Sequence, residues 1–184
     1  MSSVFAAGAP SRHLVCLDLL KSHGMFEHEQ SRGAALRLNN ARRVLSHARL
    51  RGWSVTHVFD HTARGRRARA IEGLEPLQVE PVLYRTGVSA FSNRIFRETI
   101  EATMEAELVL MGLSLSRVCL ATALAARDRG LAVALVEDVL SGSPDSTASL
   151  DAIHTVSHSI AAPFLRVLKA DDLIDVRRGL RLVT

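Results

Sequence analysis

Apolar residues along this chain fall into short unbroken runs separated by longer stretches with helical spacing. The run from His13 to Leu20 carries one acid, Asp18, near its end, and predicts a buried parallel strand. From Ala34 to Arg51 the apolar positions Leu36, Leu38, Ala41, Val44, Leu45 and Ala48 form a helical stripe that ends at Gly52. Ser54 to Phe59 predicts a second buried strand, Thr62 to Val79 a long surface loop, and Pro81 to Arg85 a third strand. Helical spacing returns from Ser89 to Met104 through Phe91, Ile95, Phe96, Thr99 and Ile100. A fourth strand from Leu108 to Gly112 then leads through a tight turn into a helix from Arg117 to Arg129, closed by Gly130.

The remaining pattern gives a fifth strand from Leu131 to Val136, with Glu137 and Asp138 at its end, and a turn from Ser141 to Pro144. Leu150 to Leu168 reads as a helix kinked at Pro163, Leu173 to Val176 as a last short strand, and Leu180 to Val183 as a further extended piece. Strands alternating with helices predict a three-layer αβα fold, with a Rossmann-like central parallel sheet of about six strands and helices on both faces. Ligands of such sheets bind beyond the carboxyl ends of the strands. That places Asp18, Asp60, His61, Arg85, the Leu113 to Val118 turn and Asp138 at the candidate site; Asp138 is expected to cap the turn after it.

Composition narrows the class. A chain of 184 residues with 47% hydrophobic and 23% charged residues is ordinary for a globular protein. Residues 1–12 predict a flexible N-terminal tail without the pattern of a signal peptide, and residues 13–184 a single domain. No apolar run is long enough to span a bilayer, so no membrane partner is expected. The formal charge of +4 comes almost wholly from arginine, and the cluster from Arg64 to Arg69 lacks interleaved aromatics. A solvated loop is the better reading of that cluster, and no nucleic-acid partner is expected. Two cysteines, Cys16 and Cys119, make no disulfide framework and suggest a reduced, cytoplasmic protein.

Cys119 stands out because it lies close to the start of a helix that follows a buried strand. The positive end of a helix lowers a thiol pKa and can hold an oxyanion. Other candidates have weaker patterns. His57, Asp60 and His61 are close together without a metal-ligand spacing, and His154 and His158 share a helix face without a neighbouring Glu. No metal and no cofactor is expected. Ser114 and Ser116 lie in the turn, but neither has an evident histidine partner.

Four blocks of sequence together carry a resemblance. They are Leu14-Val-Cys-Leu-Asp-Leu19, the stretch from Asn40 to Val58, Tyr84-Arg-Thr-Gly-Val-Ser-Ala-Phe91, and the run from Met111 to Gly130. Over His13 to Ile174 the chain resembles the isochorismatase-like superfamily, the cysteine hydrolases, which includes nicotinamidases, ureidoacrylate hydrolases and isochorismatases proper. The amidase branch uses an Asp ending the first strand, a Lys four residues before Ser-Ala-Phe, and a Cys opening the helix after the fourth strand. The resemblance puts Asp18 at the first position and Arg85 at the second. Aligning Thr122-Ala123 puts Val118 at the nucleophile's place and Cys119 one residue after it.

These departures have consequences. One step along a helix turns a side chain by about 100°, so Cys119 is expected to point into packing against the sheet unless the turn shifts register. Arg85 cannot give up a proton as Lys can. It is left either to anchor an anion or to form an ion pair with Asp18 that holds two strand ends. Isochorismatases proper also lack the nucleophilic Cys and carry a small residue followed by Cys, where this chain has Val118-Cys119. The resemblance therefore implies a hydrolase with a degenerate triad, acting on the C–N bond of an amide or on a vinyl ether. Its catalytic candidates are Asp18, Arg85 and Cys119, and its pocket candidates Leu113, Ser114, Val118 and Phe91. The expected partners are a small-molecule substrate or ligand and other copies of the chain in a homo-oligomer, a dimer or tetramer. The alternative is an inactive descendant that keeps the fold for ligand binding or subunit association.

Overall fold

The computed structural model describes residues 11–21, 32–64, 69–103, 106–112, 115–139, 155, 159 and 164–174. Six parallel strands make the central sheet: β1 (Arg12–Leu17), β3 (Ser54–Asp60), β5 (Val82–Arg85), β6 (Glu107–Gly112), β7 (Val133–Val136) and β8 (Arg166–Leu168). Two further short strands, β2 (Leu20–Lys21) and β4 (Arg69–Ala70), pair antiparallel in a separate ribbon. Among the described residues the bounded α-helices are α1 (Arg32–Leu50), α2 (Arg94–Glu101), α3 (Leu120–Arg127) and α4 (Ala170–Ile174), and Thr155 and Ser159 are also helical, as the sequence pattern over Leu150 to Leu168 predicts for them. Helices cover the sheet in the three-layer arrangement that the alternating pattern predicts.

The sheet order is β5-β3-β1-β6-β7-β8. The chain builds outward from β1 through β3 to β5, then crosses back to β6 on the other side of β1. The order therefore reverses between β1 and β6, and a doubly wound sheet opens a crevice at the carboxyl ends of the two strands where that happens. β1 and β6 are buried throughout or nearly so, since they lie at the centre of a sheet covered on both faces. The core is their Leu14, Val15, Leu17, Leu108, Val109, Leu110 and Met111, packed against Ala41, Val44, Leu45 and Ala48 of α1. Leu36, expected within the stripe, is instead exposed.

Several boundaries differ from the sequence pattern, each for a non-local reason. Arg12, assigned to the tail, belongs to β1, because its guanidinium pairs with Glu107 of β6 at 2.9 Å; residues 1–10 of that tail lie outside the described residues. Arg166 of β8 also pairs with Glu107, so one buried acid ties down two arginines at the amino end of the sheet. The first strand stops at Leu17, not Leu20, because Asp18 takes a positive φ of 52°. The helix expected over Ser89 to Met104 is split into a single turn at Ala90–Ser92 and α2. Asn93 ends the first and caps the second, its Oδ1 accepting from the Phe96 N–H at 2.9 Å.

The expected loop from Thr62 to Val79 contains β4 and two core residues, Ile71 and Leu74. At the carboxyl end of the chain two assignments are exchanged. Arg166–Leu168, expected in a helix, is strand β8, drawn onto the sheet by β7; Leu173, expected in a strand, lies in α4. Asp138 reaches beyond the turn next to it: its Oδ1 accepts from the Ala170 N–H at the start of α4 at 2.8 Å, and its Oδ2 from Asn40 of α1 at 3.0 Å. The expected turn at Ser141 to Pro144, His154, His158 and the piece from Leu180 to Val183 lie outside the described residues.

Candidate active site

The carboxyl ends of β1, β3 and β5 bring together Asp18, Asp60 and Arg85. Asp60 and Arg85 face each other in register across β3 and β5, so the pairing of the strands alone places them side by side. Arg85 is buried, and its Nη2 donates to Asp18 Oδ2 at 2.7 Å. Its Nη1 donates to the Gly87 carbonyl at 2.7 Å and lies 3.1 Å from Asp60 Oδ2. The ion pair with Asp18, one of the two readings of Arg85, is therefore made. Asp60 adds a contact of its own, because its backbone N–H donates to Asp18 Oδ1 at 2.9 Å.

Asp18 is the only residue other than glycine with positive φ among the described residues. An L-residue takes that conformation at a cost and keeps it only where surrounding contacts impose it. Here the Asp18 N–H is held by the Val58 carbonyl at 3.0 Å while both carboxylate oxygens are held by the next two strands. The backbone leaves the β1 direction so that the carboxylate can turn across the strand ends. The side chain keeps about a quarter of its surface, 24%, open.

Asp60 is held by its own turn. Thr62 donates to Asp60 Oδ1 from its N–H at 2.9 Å and from its hydroxyl at 2.8 Å, and His61 Nδ1 lies 3.4 Å away. Burial works to raise the Asp60 carboxyl. The Thr62 hydrogen bonds and the charges of Arg85 and His61 outweigh it and hold the group below the ordinary Asp value.

The loop after Arg85 is stapled into place. Ser92 Oγ accepts from the Gly87 N–H at 2.9 Å and from the Thr86 N–H at 3.2 Å, and Ser89 caps the turn at the Phe91 N–H. Thr122 of α3 is completely buried and its hydroxyl accepts from the Ala90 N–H at 3.0 Å, locking this loop to the helix that follows β6. Phe91, a pocket candidate, has its ring against Phe96 in a T-shaped contact at 5.1 Å, with the Arg129 guanidinium 4.6 Å above it. It is 4% exposed and works as an anchor for the loop.

The turn into α3 decides the thiol. Leu115–Cys119 form a π-helical turn, a widened turn that often accompanies functional sites, and α3 proper begins at Leu120. Val118 and Cys119 are both buried. A methyl group placed on Gly112 would lie 3.0 Å from Cys119 Sγ, 2.9 Å from Leu17 Cβ and only 2.5 Å from the Leu17 carbonyl oxygen. The Cys119 sulfur thus lies over the bare backbone of Gly112 at the end of β6, packed onto the sheet. Only glycine leaves room for it there. Leu113 and Ser114, the other pocket candidates, lie outside the described residues.

Some polar residues from the sequence reading go elsewhere. His57 is fully buried and gives no help to Asp60; its Nε2 lies 2.9 Å from Glu80 Oε2. Glu80 also accepts two hydrogen bonds from Arg49 at 2.8 Å and one from the Leu77 N–H. Burial opposes ionisation of Glu80, yet these donors lower its pKa to about 2. Burial pushes His57 down and keeps the imidazole neutral, against the pull of Glu80. A recess of about 260 Å³, lined by Trp53, Val55, Leu77 and Val79 together with this Arg49–Glu80 pair, opens near the amino end of β3, away from Asp18. Among the described residues no three His, Cys, Asp or Glu side chains converge on a metal position. Cys16 is fully buried beneath Glu80, and desolvation drives its thiol pKa upward, which makes it inert.

Two residues of this neighbourhood were missing from the sequence-derived site, Thr122 as the lock on the loop and Gly112 beneath Cys119; Asp60 was among its strand-end candidates, but its contact with Arg85 was not foreseen. An acid ending one strand and an arginine ending the next were visible as types, but their register was not.

Comparison with known proteins agrees with this fold. The isochorismatase domain profile matches residues 13–167. No curated protein sequence matches the chain. An isochorismatase from Pseudomonas putida has a similar structure, with a TM-score of 0.75 and 24% identity over 90% of this chain and 93% of that one. A putative hydrolase of the isochorismatase family from Chromobacterium violaceum superposes with a TM-score of 0.74 and 21% identity, covering 95% and 97% of the two chains. A cysteine hydrolase from Pseudomonas syringae pv. phaseolicola does so at 0.72 and 16%, covering 89% and 91%. No helix among the described residues is long and apolar enough to cross a membrane. With the domain profile spanning most of its length, and with this sheet order and strand-end site, the chain belongs to the isochorismatase family of hydrolases.

Proposed function

We propose that the chain hydrolyses a small amide- or carboxylate-bearing metabolite, with Asp18 as the acid/base and Arg85 as a fixed cation beside it. The observation that supports this reading is the Asp18 carboxylate itself. It is held in a strained backbone conformation at the switch point of the sheet, 2.7 Å from Arg85 and still partly open. Strained backbone of this kind clusters at active sites.

Cys119 is not the nucleophile in this reading, because its sulfur is committed to the floor at Gly112 and Val118 stands at the position where the amidases carry theirs. Hydrolysis then proceeds by direct attack of water. Asp18 takes a proton from the water as its oxygen bonds to the substrate carbonyl carbon. The same proton passes to the leaving nitrogen as the C–N bond breaks, so an amide and water become an acid and an amine. Arg85 keeps its proton throughout and offsets the developing negative charge.

The test is a panel of small primary amides, ureido compounds and vinyl ethers assayed with wild type, Asp18→Asn and Cys119→Ala. Asp18→Asn should lower kcat by roughly 10²–10⁴-fold, the range of general acid–base catalysis. Cys119→Ala should keep most of the activity. Loss of turnover in Cys119→Ala at unchanged stability would restore the covalent mechanism. Binding without turnover by wild type would favour the ligand-binding alternative.

A further inference from the structure

We infer that Asp60 is a positioning residue of this site: it is the second carboxylate gripping the Arg85 guanidinium and, through its backbone N–H, a restraint on Asp18. The inference rests on the reading of Asp18 and Arg85 as the working pair. It follows from how the donors and acceptors are shared. A guanidinium is a planar fork with five N–H groups, and one carboxylate satisfies at most two of them. Asp18 engages Nη2 only, since its other oxygen is taken by the Asp60 N–H. With that single contact the fork could swing about its own stem. The Gly87 carbonyl and Asp60 Oδ2, both on Nη1, fix the second corner, so the plane is set by β1, β3 and the loop after β5 together.

Asp60 is itself prepared for this task. Thr62 occupies Oδ1 from two sides, which turns Oδ2 towards Arg85. The arrangement accounts for how an arginine is accommodated in a seat where the amidase branch keeps a lysine. A compact ammonium needs only point contacts, whereas the wider fork needs a second acceptor to be held still. A cation that does not move stabilises developing charge without reorganising during the reaction. Asp60 touches no reacting atom in this scheme and acts through its two neighbours.

The experiment uses the full chain labelled with ¹⁵N, with the Arg85 side-chain signals assigned by their loss in Arg85→Lys. In wild type the Arg85 guanidinium protons should exchange slowly with water. Asp60→Asn should speed that exchange several-fold, as expected for loss of one ion-pair contact that restrains the guanidinium, with circular dichroism unchanged. Asp60→Glu should restore slow exchange, because it returns the charged acceptor. Thr62→Val, which removes one restraint on Asp60, should give a smaller increase and serves if Asp60→Asn does not fold.

Unchanged exchange in the Asp60 or Thr62 variants would overturn the inference. On any amide that wild type hydrolyses, Asp60→Asn should lower kcat with little change in KM; an effect on KM alone would also overturn it. If exchange responds as expected while wild type hydrolyses nothing, the hydrolase reading falls and the role of Asp60 stands.

Discussion

Replacing Arg85 with Met leaves the carboxylates of Asp18 and Asp60 facing each other without the cation that joins them. Methionine keeps much of the stem's packing, so the change isolates charge rather than volume. Removing one partner from a buried ion pair costs about 3–5 kcal/mol. Here the carboxylates keep 24% and 35% of their surface open, so water screens part of that loss, and about 2–3 kcal/mol is the expected cost near neutral pH. For a domain of this length, that lowers the melting temperature by roughly 4–12 °C.

The pH dependence supplies a second signature. The Asp60 carboxyl is held below its ordinary value of 3.8, in part by Arg85. A depressed carboxylate contributes stability that is present above its unfolded pKa and lost as pH falls through its folded pKa. In Arg85→Met that depression is reduced, so the variant loses less on acidification and the gap to wild type narrows. Urea unfolding at neutral pH and again near the ordinary Asp pKa, about 3.9, measures both effects. A stability difference below about 0.5 kcal/mol at neutral pH, the range of an ordinary surface substitution, would refute the reasoning. So would a gap that does not change with pH.

Three other outcomes follow from the packing. Gly112→Ala should destabilise by about 1–3 kcal/mol through overpacking, because the new methyl meets the Leu17 backbone, which the β1–β6 ladder prevents from moving; thermal melts with and without Cys119→Ala test this, and the second change should recover only a minor part. Glu80→Gln should flatten the acid limb of the stability profile. The wild-type carboxylate, with its pKa lowered to about 2, contributes roughly 2–3 kcal/mol that is lost as pH falls from the ordinary Glu range through that value. Iodoacetamide should alkylate Cys16 and Cys119 in the native protein far more slowly than in urea, because both thiols are buried; rapid labelling of native Cys119, read by mass spectrometry, would contradict its packing role.

The sequence by itself determined the layer architecture. Buried parallel strands must be apolar along their whole length, and helices packed on them must carry a stripe, so both can be read locally from His13 to Val136. It also determined which residue types end the strands, and hence that Asp18, Asp60 and Arg85 crowd one edge of the sheet. Tertiary structure decided what they do there. The pairing of Asp60 with Arg85 depends on strand register across a connection whose length says nothing about alignment. The left-handed backbone of Asp18 depends on acceptors and donors from β3 and β5. Strand β8 and helix α4 exchanged places against local expectation because β7 and Asp138, both distant in sequence, supply the hydrogen bonds that each needs. The surroundings of the Cys119 sulfur were the hardest to read in advance. A single step along a helical turn swings a side chain by about 100°, and only the folded chain brings this thiol against Gly112 at the end of β6.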